Sequence, residues 1–157
     1  MKSSYSISAE DEVEIMAKLT GFIYCAGTEK VSNPEKKEGS INAIGVLSAL
    51  TPEYVPGMFS FSVIFSVLDI DVSIINRIRI VFAKVGEDKN LLDTGVIPVP
   101  PFTEKEEVML PTEYRGATMS MDFRNVIFEE NGLYSAKVFV NDEFLGDNYI
   151  YVQGRKN

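Results

Sequence analysis

The chain has 157 residues, of which 45% are apolar and 11% aromatic, and its net charge is −8. This length and composition fit one globular domain and exclude a disordered chain. The acidic charge disfavours phosphate backbones and anionic lipids, so we expect no direct binding of nucleic acid or membrane surfaces. Histidine is absent, which removes the commonest general base and every Ser-His or Cys-His nucleophile.

Cysteine content and hydropathy bear on the compartment. Cys25 is the only cysteine, so no disulfide can form within the chain. No run reaches the roughly 20 apolar residues that span a bilayer, and the first residues lack the apolar core of a secretory signal. We therefore expect a cytoplasmic location.

The first predicted strand follows a polar segment. Residues 1–12 are mostly polar, and apolar residues then alternate with polar ones over residues 13–19. Residues 22–25 continue the β-rich pattern after Gly21, a position that suits a bulge. A short helix is the alternative interpretation near the start, and the alternation favours the strand.

A polar stretch separates this strand from the next. Residues 27–40 contain Pro34 and Gly39 and few apolar side chains, so we expect a long loop. Residues 41–50 predict a second strand, in which Gly45 indicates a bulge or a close approach of two backbones.

The clearest single strand lies in the middle of the chain. Large apolar residues alternate mainly with serines over residues 59–67, which predicts a strand with one face in a core. Residues 77–85 predict another strand, and residues 91–99 predict a shorter one. We expect all seven prolines to lie between strands, because proline cannot donate a hydrogen bond to a ladder.

The last third of the chain predicts a bulged strand and a hairpin. The alternation over residues 119–123 resumes with shifted phase at residues 126–128, as a bulge would produce. In residues 131–152, two β-rich runs flank an Asn/Asp turn, which is the pattern of a β-hairpin. Tyr134 is expected to anchor a corner through its hydroxyl, and the alternate residues that follow it are expected to pack toward residues 59–67.

The second run of this hairpin has two different faces. Tyr149 and Tyr151 lie on one face, and Ile150 and Val152 lie on the other. One face must pack into the core, and the other is either an exposed aromatic patch for a partner or is covered by another strand. Of these two, we expect coverage by another strand.

Together these patterns predict an all-β fold. About eight β-runs follow one another at spacings of roughly 8–15 residues, and no long amphipathic helix competes with them. The prediction is a single antiparallel β-sandwich of about 7–9 strands at residues 13–152, immunoglobulin-like or C2-like. Residues 1–12 form a polar N-terminal segment, and residues 153–157 form a polar tail.

Acidic residues in the predicted turns are a candidate calcium site, because hard cations bind clustered carboxylate oxygens. The same carboxylates could line the cleft of a carboxylate-dependent hydrolase, or of a small-molecule or carbohydrate binder. Acidic residues are ordinary in turns, however, so we expect no metal and no cofactor. The four candidates are Asp69, Asp71, Asp142 and Asp147.

Two acidic segments are candidates for binding a protein partner, which their charge predicts to be basic. The alternative is that these charges are only solvated surface. The first segment contains Glu10, Asp11 and Glu12, and the second contains Glu104, Glu106 and Glu107.

No catalytic residue is predicted. The chain lacks the glycine-rich phosphate loop, the dinucleotide fingerprint, histidine metal motifs and the nucleophile elbow. Cys25 has no histidine to activate it, so we expect a buried structural side chain.

The order of several segments resembles that in a family of small bacterial proteins without an assigned activity, over residues 13–152. The resemblance implies an immunoglobulin-like or C2-like sandwich and carries over no functional residues. The first loop of this chain is longer than the family's. The segments concerned are Tyr24-Cys25, Ile41-Asn42-Ala43-Ile44-Gly45-Val46, Phe128, Asn131-Gly132-Leu133-Tyr134, Val140-Asn141-Asp142 and Leu145-Gly146.

The sequence thus predicts a non-enzymatic binding module, because an all-β scaffold with exposed loops and edges carries no catalytic constellation. A more specific hypothesis is an acidic inhibitor or modulator from a mobile element or phage, which occupies a basic protein that handles nucleic acid. The alternatives are the small-molecule binder or hydrolase above, and a structural subunit of a larger assembly.

Overall fold

The computed structural model describes residues 17–32, 39–102 and 110–156. These residues form ten strands in two sheets that pack face to face, so the predicted all-β sandwich is confirmed. The strands are β1 (Lys18–Ser32), β2 (Gly39–Leu47), β3 (Ala49–Leu50), β4 (Gly57–Leu68), β5 (Asn76–Lys84), β6 (Leu92–Asp93), β7 (Ile97–Val99), β8 (Gly116–Phe128), β9 (Gly132–Val140) and β10 (Glu143–Val152).

The strand count is ten rather than the predicted 7–9. Three of the strands, β3, β6 and β7, have only two or three residues, which is too short to produce a visible alternation. The only helix in the described ranges is the three-residue 3-10 turn Thr112–Tyr114. A helix able to cross a membrane is therefore absent from these parts of the chain.

The first sheet has the order β2-β1-β4-β8, and the second has the order β3-β10-β9-β5-β6, with β7 also paired to β5. Neighbouring strands are antiparallel except β3 and β10, which run parallel. Beyond β10, the backbone N–H groups of Gln153, Arg155 and Lys156 donate to carbonyl groups within residues 50–53. The predicted polar tail therefore continues along the segment that follows β3.

The core lies between the two sheets. The inward face of β4 is almost fully buried at Phe61, Val63, Phe65 and Val67, which confirms the strand predicted at residues 59–67. Phe61 and Phe82 contact each other across the core, with 5.6 Å between ring centroids. The opposite sheet contributes Ile78, Ile80, Phe82, Tyr134, Ala136, Val138, Val140, Ile150 and Val152.

The first hairpin is longer than predicted. β1 continues to residue 32 and β2 begins at residue 39, so the loop predicted at residues 27–40 is wrong at both of its ends. The polar side chains there lie on paired strands, as at Glu29 opposite Asn42. The predicted bulge at Gly21 is confirmed, because the register against β4 shifts there and Gly21 has a φ of 60°.

A second bulge lies in β8. Its register against β4 shifts between Phe123 and Val126, which confirms the predicted change of phase. Asn125 has a φ of 55°, and its backbone N–H donates to the Ser60 hydroxyl over 2.9 Å. The side-chain oxygen thus satisfies a backbone group that the bulge removes from the ladder.

The edge of the second sheet differs from prediction. Residues 91–99 contain two short strands instead of one, and both pair with β5. Pro98 lies inside β7, opposite Arg77, so the expectation that every proline lies between strands is wrong here. An edge strand tolerates proline, because a position that faces away from the ladder needs no N–H donor.

The closing hairpin of β9 and β10 is confirmed. Its two turn residues, Asn141 and Asp142, have φ values of 50° and 71°, as a type I′ turn requires. The Tyr134 hydroxyl donates to the Glu130 carbonyl over 2.7 Å, so the predicted corner is also confirmed. The inner side of this hairpin contributes residues to the core, and its outer side forms part of the outer surface of the second sheet.

Candidate interaction face

The outer surface of β10, β9 and β5 carries side chains that the strand pairing arranges in rows. Residues alternate across a strand, so those that do not enter the core lie on this surface. Together the rows form the outer aromatic face, which is about 20 Å long at the usual rise per residue. The rows are Tyr151 with Leu133, Tyr149 with Ser135 and Ala83, Asp147 with Lys137 and Val81, and Phe144 with Phe139 and Arg79.

One end of the outer aromatic face is tyrosine-rich and open. Tyr149 is 58% exposed, Tyr151 is 49% exposed and the neighbouring Leu133 is 41% exposed. The expectation that another strand covers the two tyrosines is wrong for the described residues. β3 pairs with β10 only at Tyr151 and Val152. It lies beside β10 at the edge of the sheet, so the outer surface of β10 stays open.

An ion pair between Lys137 and Asp147 lies in the middle of the outer aromatic face. The Lys137 ammonium donates to a carboxylate oxygen of Asp147 over 2.7 Å, and the Ser135 hydroxyl donates to the same oxygen over 2.9 Å. These hydrogen bonds, the lysine first, hold the pKa of Asp147 below its usual value. The Lys137 ammonium also lies 5.7 Å from the centre of the Phe144 ring. The charged row is therefore internally paired.

The other end combines two phenylalanines with an arginine. The Phe139 and Phe144 rings lie 5.6 Å apart, and the Arg79 guanidinium lies 5.8 Å from the centre of the Phe139 ring. Arg79 donates two hydrogen bonds to Asp93, over 2.9 and 2.6 Å. These bonds lower the pKa of the Asp93 carboxyl to about 2. The two-bond contact fixes the guanidinium beside the ring.

Carboxylates border the outer aromatic face at both ends. Asp142 in the turn between β9 and β10 and Glu143 at the start of β10 are both exposed, beyond the phenylalanines. Glu87 and Glu129 are exposed in the loops that follow β5 and precede β9, at the tyrosine end. An apolar centre with a polar rim is the usual arrangement of a protein-binding surface.

A cavity of about 350 Å³ lies beside the tyrosine end of the sheet. Its volume is at the lower limit for ligand pockets, which are mostly apolar inside. The Lys84 ammonium and the Glu130 carboxylate pair within its lining over 2.8 Å, and most other lining residues are also polar or charged. The cavity therefore fits a small organic ligand poorly.

The structure does not gather the four candidate calcium ligands into one site. No three Asp, Glu, Cys or His side chains among the described residues lie close enough together to hold a metal ion. Asp71 accepts hydrogen bonds from the Ser73 hydroxyl and backbone N–H, which lower its pKa. Asp142 lies 3.9 Å from Arg77, and Asp147 is held by Lys137.

Asp69 has a different role in the fold. It follows β4 with a φ of 63°, and its backbone N–H donates to the Arg115 carbonyl. Like Asp142, Asp69 has a left-handed backbone conformation, which aspartate and asparagine adopt more readily than most residues. Turn geometry accounts for the choice of both residues.

The six predicted partner-binding carboxylates lie outside the described residues. They are Glu10, Asp11, Glu12, Glu104, Glu106 and Glu107.

Cys25 lies in β1 and is fully buried. Its sulfur lies 3.6 Å from the Ser62 carbonyl oxygen. Burial raises the pKa of the thiol, and the nearby Asp122 carboxylate raises it further. A thiol in this state is a poor nucleophile, so the side chain contributes packing.

Arg79, a member of the face, and its partner Asp93 were not singled out from the sequence. They join the face only through the pairing of β5 with β9 and with β6. The alternation on β9 already separates Lys137 and Phe139 from the core residues, and a charged and an aromatic residue on one non-core face is a signal for this surface.

Comparisons with known proteins assign no family to the chain. No family model matches it, and no curated protein matches it. Among solved structures, a protein described as a putative lipoprotein from Bacillus anthracis is similar over 82% of this chain and 88% of its own, with 14% identity and a TM-score of 0.33. A likeness at that TM-score carries no argument, so the fold assignment rests on the strands and their pairing.

Proposed function

We propose that the chain is a non-enzymatic module that binds a basic protein through the outer aromatic face. The observation that carries this proposal is the pair Tyr149 and Tyr151, each about half exposed on the outside of a sheet whose inner side is buried. The packed inner face fixes the backbone of the strand that carries these tyrosines, so less backbone entropy is lost on binding.

The composition of the face favours a protein over other partners. Tyrosine and arginine are the residues enriched at the energetic centres of protein interfaces, because each buries a large area and keeps a polar end. The face presents Tyr149 and Tyr151 on β10 and Arg79 on β5, with β9 between the two strands. Its two internal ion pairs, Arg79 with Asp93 and Lys137 with Asp147, can be buried without leaving an unpaired charge.

The charge of the chain favours a basic partner. The net charge is −8, and exposed carboxylates border the face at both ends. Opposite charge on the partner would speed encounter and set orientation, and salt would weaken both effects. A cytoplasmic inhibitor or modulator of phage or mobile-element origin, acting on a basic protein that handles nucleic acid, is the specific form of this proposal. It is supported by the acidic charge and the single buried cysteine.

Affinity capture with matched variants tests the proposal. The tagged chain, its Y149S/Y151S variant and a Y114S control are incubated with lysate of the organism that encodes the chain, and retained proteins are quantified by mass spectrometry. Tyr114 is 60% exposed and lies outside the face. We expect a basic protein at stoichiometric amounts with the wild type and the control, and at least about tenfold less with the double variant.

Three outcomes would contradict the proposal. The first is retention of the same proteins in the same amounts by the double variant. The second is that the proteins lost with the double variant are acidic, and the third is that the wild type retains no protein at low salt. Thermal melting of all three proteins verifies that the substitutions leave the fold intact.

A further inference from the structure

The first sheet ends in an edge strand without any charged residue. β2 is the outermost strand beside β1, and no described strand lies on its other side. Its nine residues, Gly39 to Leu47, include no Asp, Glu, Lys, Arg or Pro, in a chain of which 24% is charged. Edge strands are usually protected by charge, proline or shortness, because their free N–H and C=O groups can pair with another strand.

The other edges of the sandwich carry such protection. β8, at the opposite edge of the same sheet, contains Asp122 and Arg124. The second sheet ends in β3 and β6, which have two residues each. Among the described edges, β2 is thus both long and uncharged. On β2, Ile44 is 52% exposed and Val46 is 66% exposed.

The outer half of the β1–β2 hairpin extends beyond the sheet. β1 pairs with β4 only as far as Cys25, opposite Ser62, whereas its pairing with β2 continues to Ser32. A gap of about 130 Å³ opens between β1 and β4 past that point, with Gly27 and Ser60 in its lining. Residues 27–32 and 39–44 therefore form a two-stranded ribbon.

A two-stranded ribbon is marginally stable alone, and further strands stabilise it. Pairing of β2 with β2 of a second copy, antiparallel about a twofold axis, joins two ribbons into a four-stranded sheet. An uncharged strand meets its own copy without repulsion, whereas most other surfaces of a chain with net charge −8 repel each other. A basic partner gains no charge complementarity at β2, so the second copy is the occupant that this edge fits.

We propose that β2 mediates reversible homodimerisation through antiparallel β2–β2 pairing over residues 39–44. Gly45 follows with a φ of 68°, which interrupts an extended ladder and limits the pairing to these residues. A ladder of this length buries less than the roughly 1,000 Å² of a stable interface, so the dimer is weak and depends on concentration. This inference is independent of the outer aromatic face, which lies on the other sheet.

Sedimentation velocity of the full chain tests the proposal over concentrations from about 5 to about 500 μM, a range that brackets weak association. The variants are I44K, which places a charge on the exposed side of β2, and I127K, the same change on β8. Ile127 is 54% exposed, so the two substitutions are matched. Wild type and I127K are expected to shift from one to two protomers, and I44K is expected to remain monomeric.

The proposal is overturned if the wild type stays monomeric throughout, since β2 is then unpaired or covered by another part of the same chain. Association of I44K equal to that of the wild type also overturns it, because the contact then lies elsewhere. Circular dichroism and melting temperature establish that each variant is folded.

Discussion

The hydroxyl of Tyr24 donates a hydrogen bond to the backbone carbonyl of Asn148 over 2.6 Å and links the two sheets from inside. Tyr24 belongs to β1 and Asn148 to β10. The Asn148 side chain also donates to the Ala136 carbonyl of β9 over 3.0 Å. Tyr149, the next residue, points to the outside, so an exposed ring of the outer aromatic face is carried by a strand that is fixed from the core side.

Replacement of Tyr24 by phenylalanine is expected to lower the free energy of unfolding by about 1–2 kcal/mol, because the ring still packs while the Asn148 carbonyl loses its donor. Denaturant titration measures the change. The control is Y114F, at an exposed tyrosine, where no change is expected. Equal stabilities of Y24F and Y114F would show that the hydrogen bond adds nothing.

Tyr134 contributes to the free energy of unfolding through its hydroxyl and through its ring, and two variants separate the contributions. Y134F removes the hydrogen bond to the Glu130 carbonyl and is expected to destabilise the protein by about 1 kcal/mol. Y134A also removes a buried ring that stacks on Phe82, with 5.6 Å between centroids, and a loss of about 3–5 kcal/mol is expected. If the alanine variant unfolded at the same denaturant concentration as the wild type, Tyr134 would not be a core anchor.

The contact between Asp93 and Arg79 makes stability depend on pH in a defined direction. The pKa of Asp93 falls from 3.8 to about 2 on folding, so the folded state binds the proton less tightly than the unfolded state. The stabilisation is therefore complete above about pH 4 and is lost as the pH falls toward about 2. A stability difference between wild type and D93N is expected near neutral pH and should shrink over this interval. A difference independent of pH would contradict this account.

The β9–β10 turn is expected to tolerate glycine better than any other change. Asp142 has a φ of 71°, a region in which a residue with a side chain is strained and glycine is not. We expect D142G to be neutral or to stabilise by up to about 1 kcal/mol, and D142A to destabilise. Thermal melting at high salt, which screens the nearby Arg77, isolates the backbone effect. A melting temperature for D142A above that of D142G would be inconsistent with a type I′ turn.

Strands with one face in the core were predictable from the sequence. Residues 59–67 and the β9–β10 hairpin alternate between large apolar and smaller or polar residues, and burial of one face imposes that period. The outer half of the β1–β2 hairpin was predicted to be a loop, because residues 27–32 pair without burying one side in the core. Without that burial, the alternation is weak.

The candidate site was only partly predictable for a related reason. The tyrosines at 149 and 151 are visible as one face of a strand, but whether anything covers that face depends on the arrangement of the sheets. Arg79 reaches Phe139 only through the register of β5 against β9, two strands that residues 85–131 separate in the sequence. Local patterns do not specify such a register.

The most direct test of the outer aromatic face is a calorimetric titration of the purified basic partner into the wild type, Y149S/Y151S and Y114S. We predict equal dissociation constants for the wild type and Y114S. For the double variant we predict a dissociation constant at least about tenfold higher, which corresponds to about 1.4 kcal/mol. The affinity of the wild type should also fall as salt is raised. Dissociation constants within about twofold of one another for all three proteins would contradict the proposal that this face binds the partner.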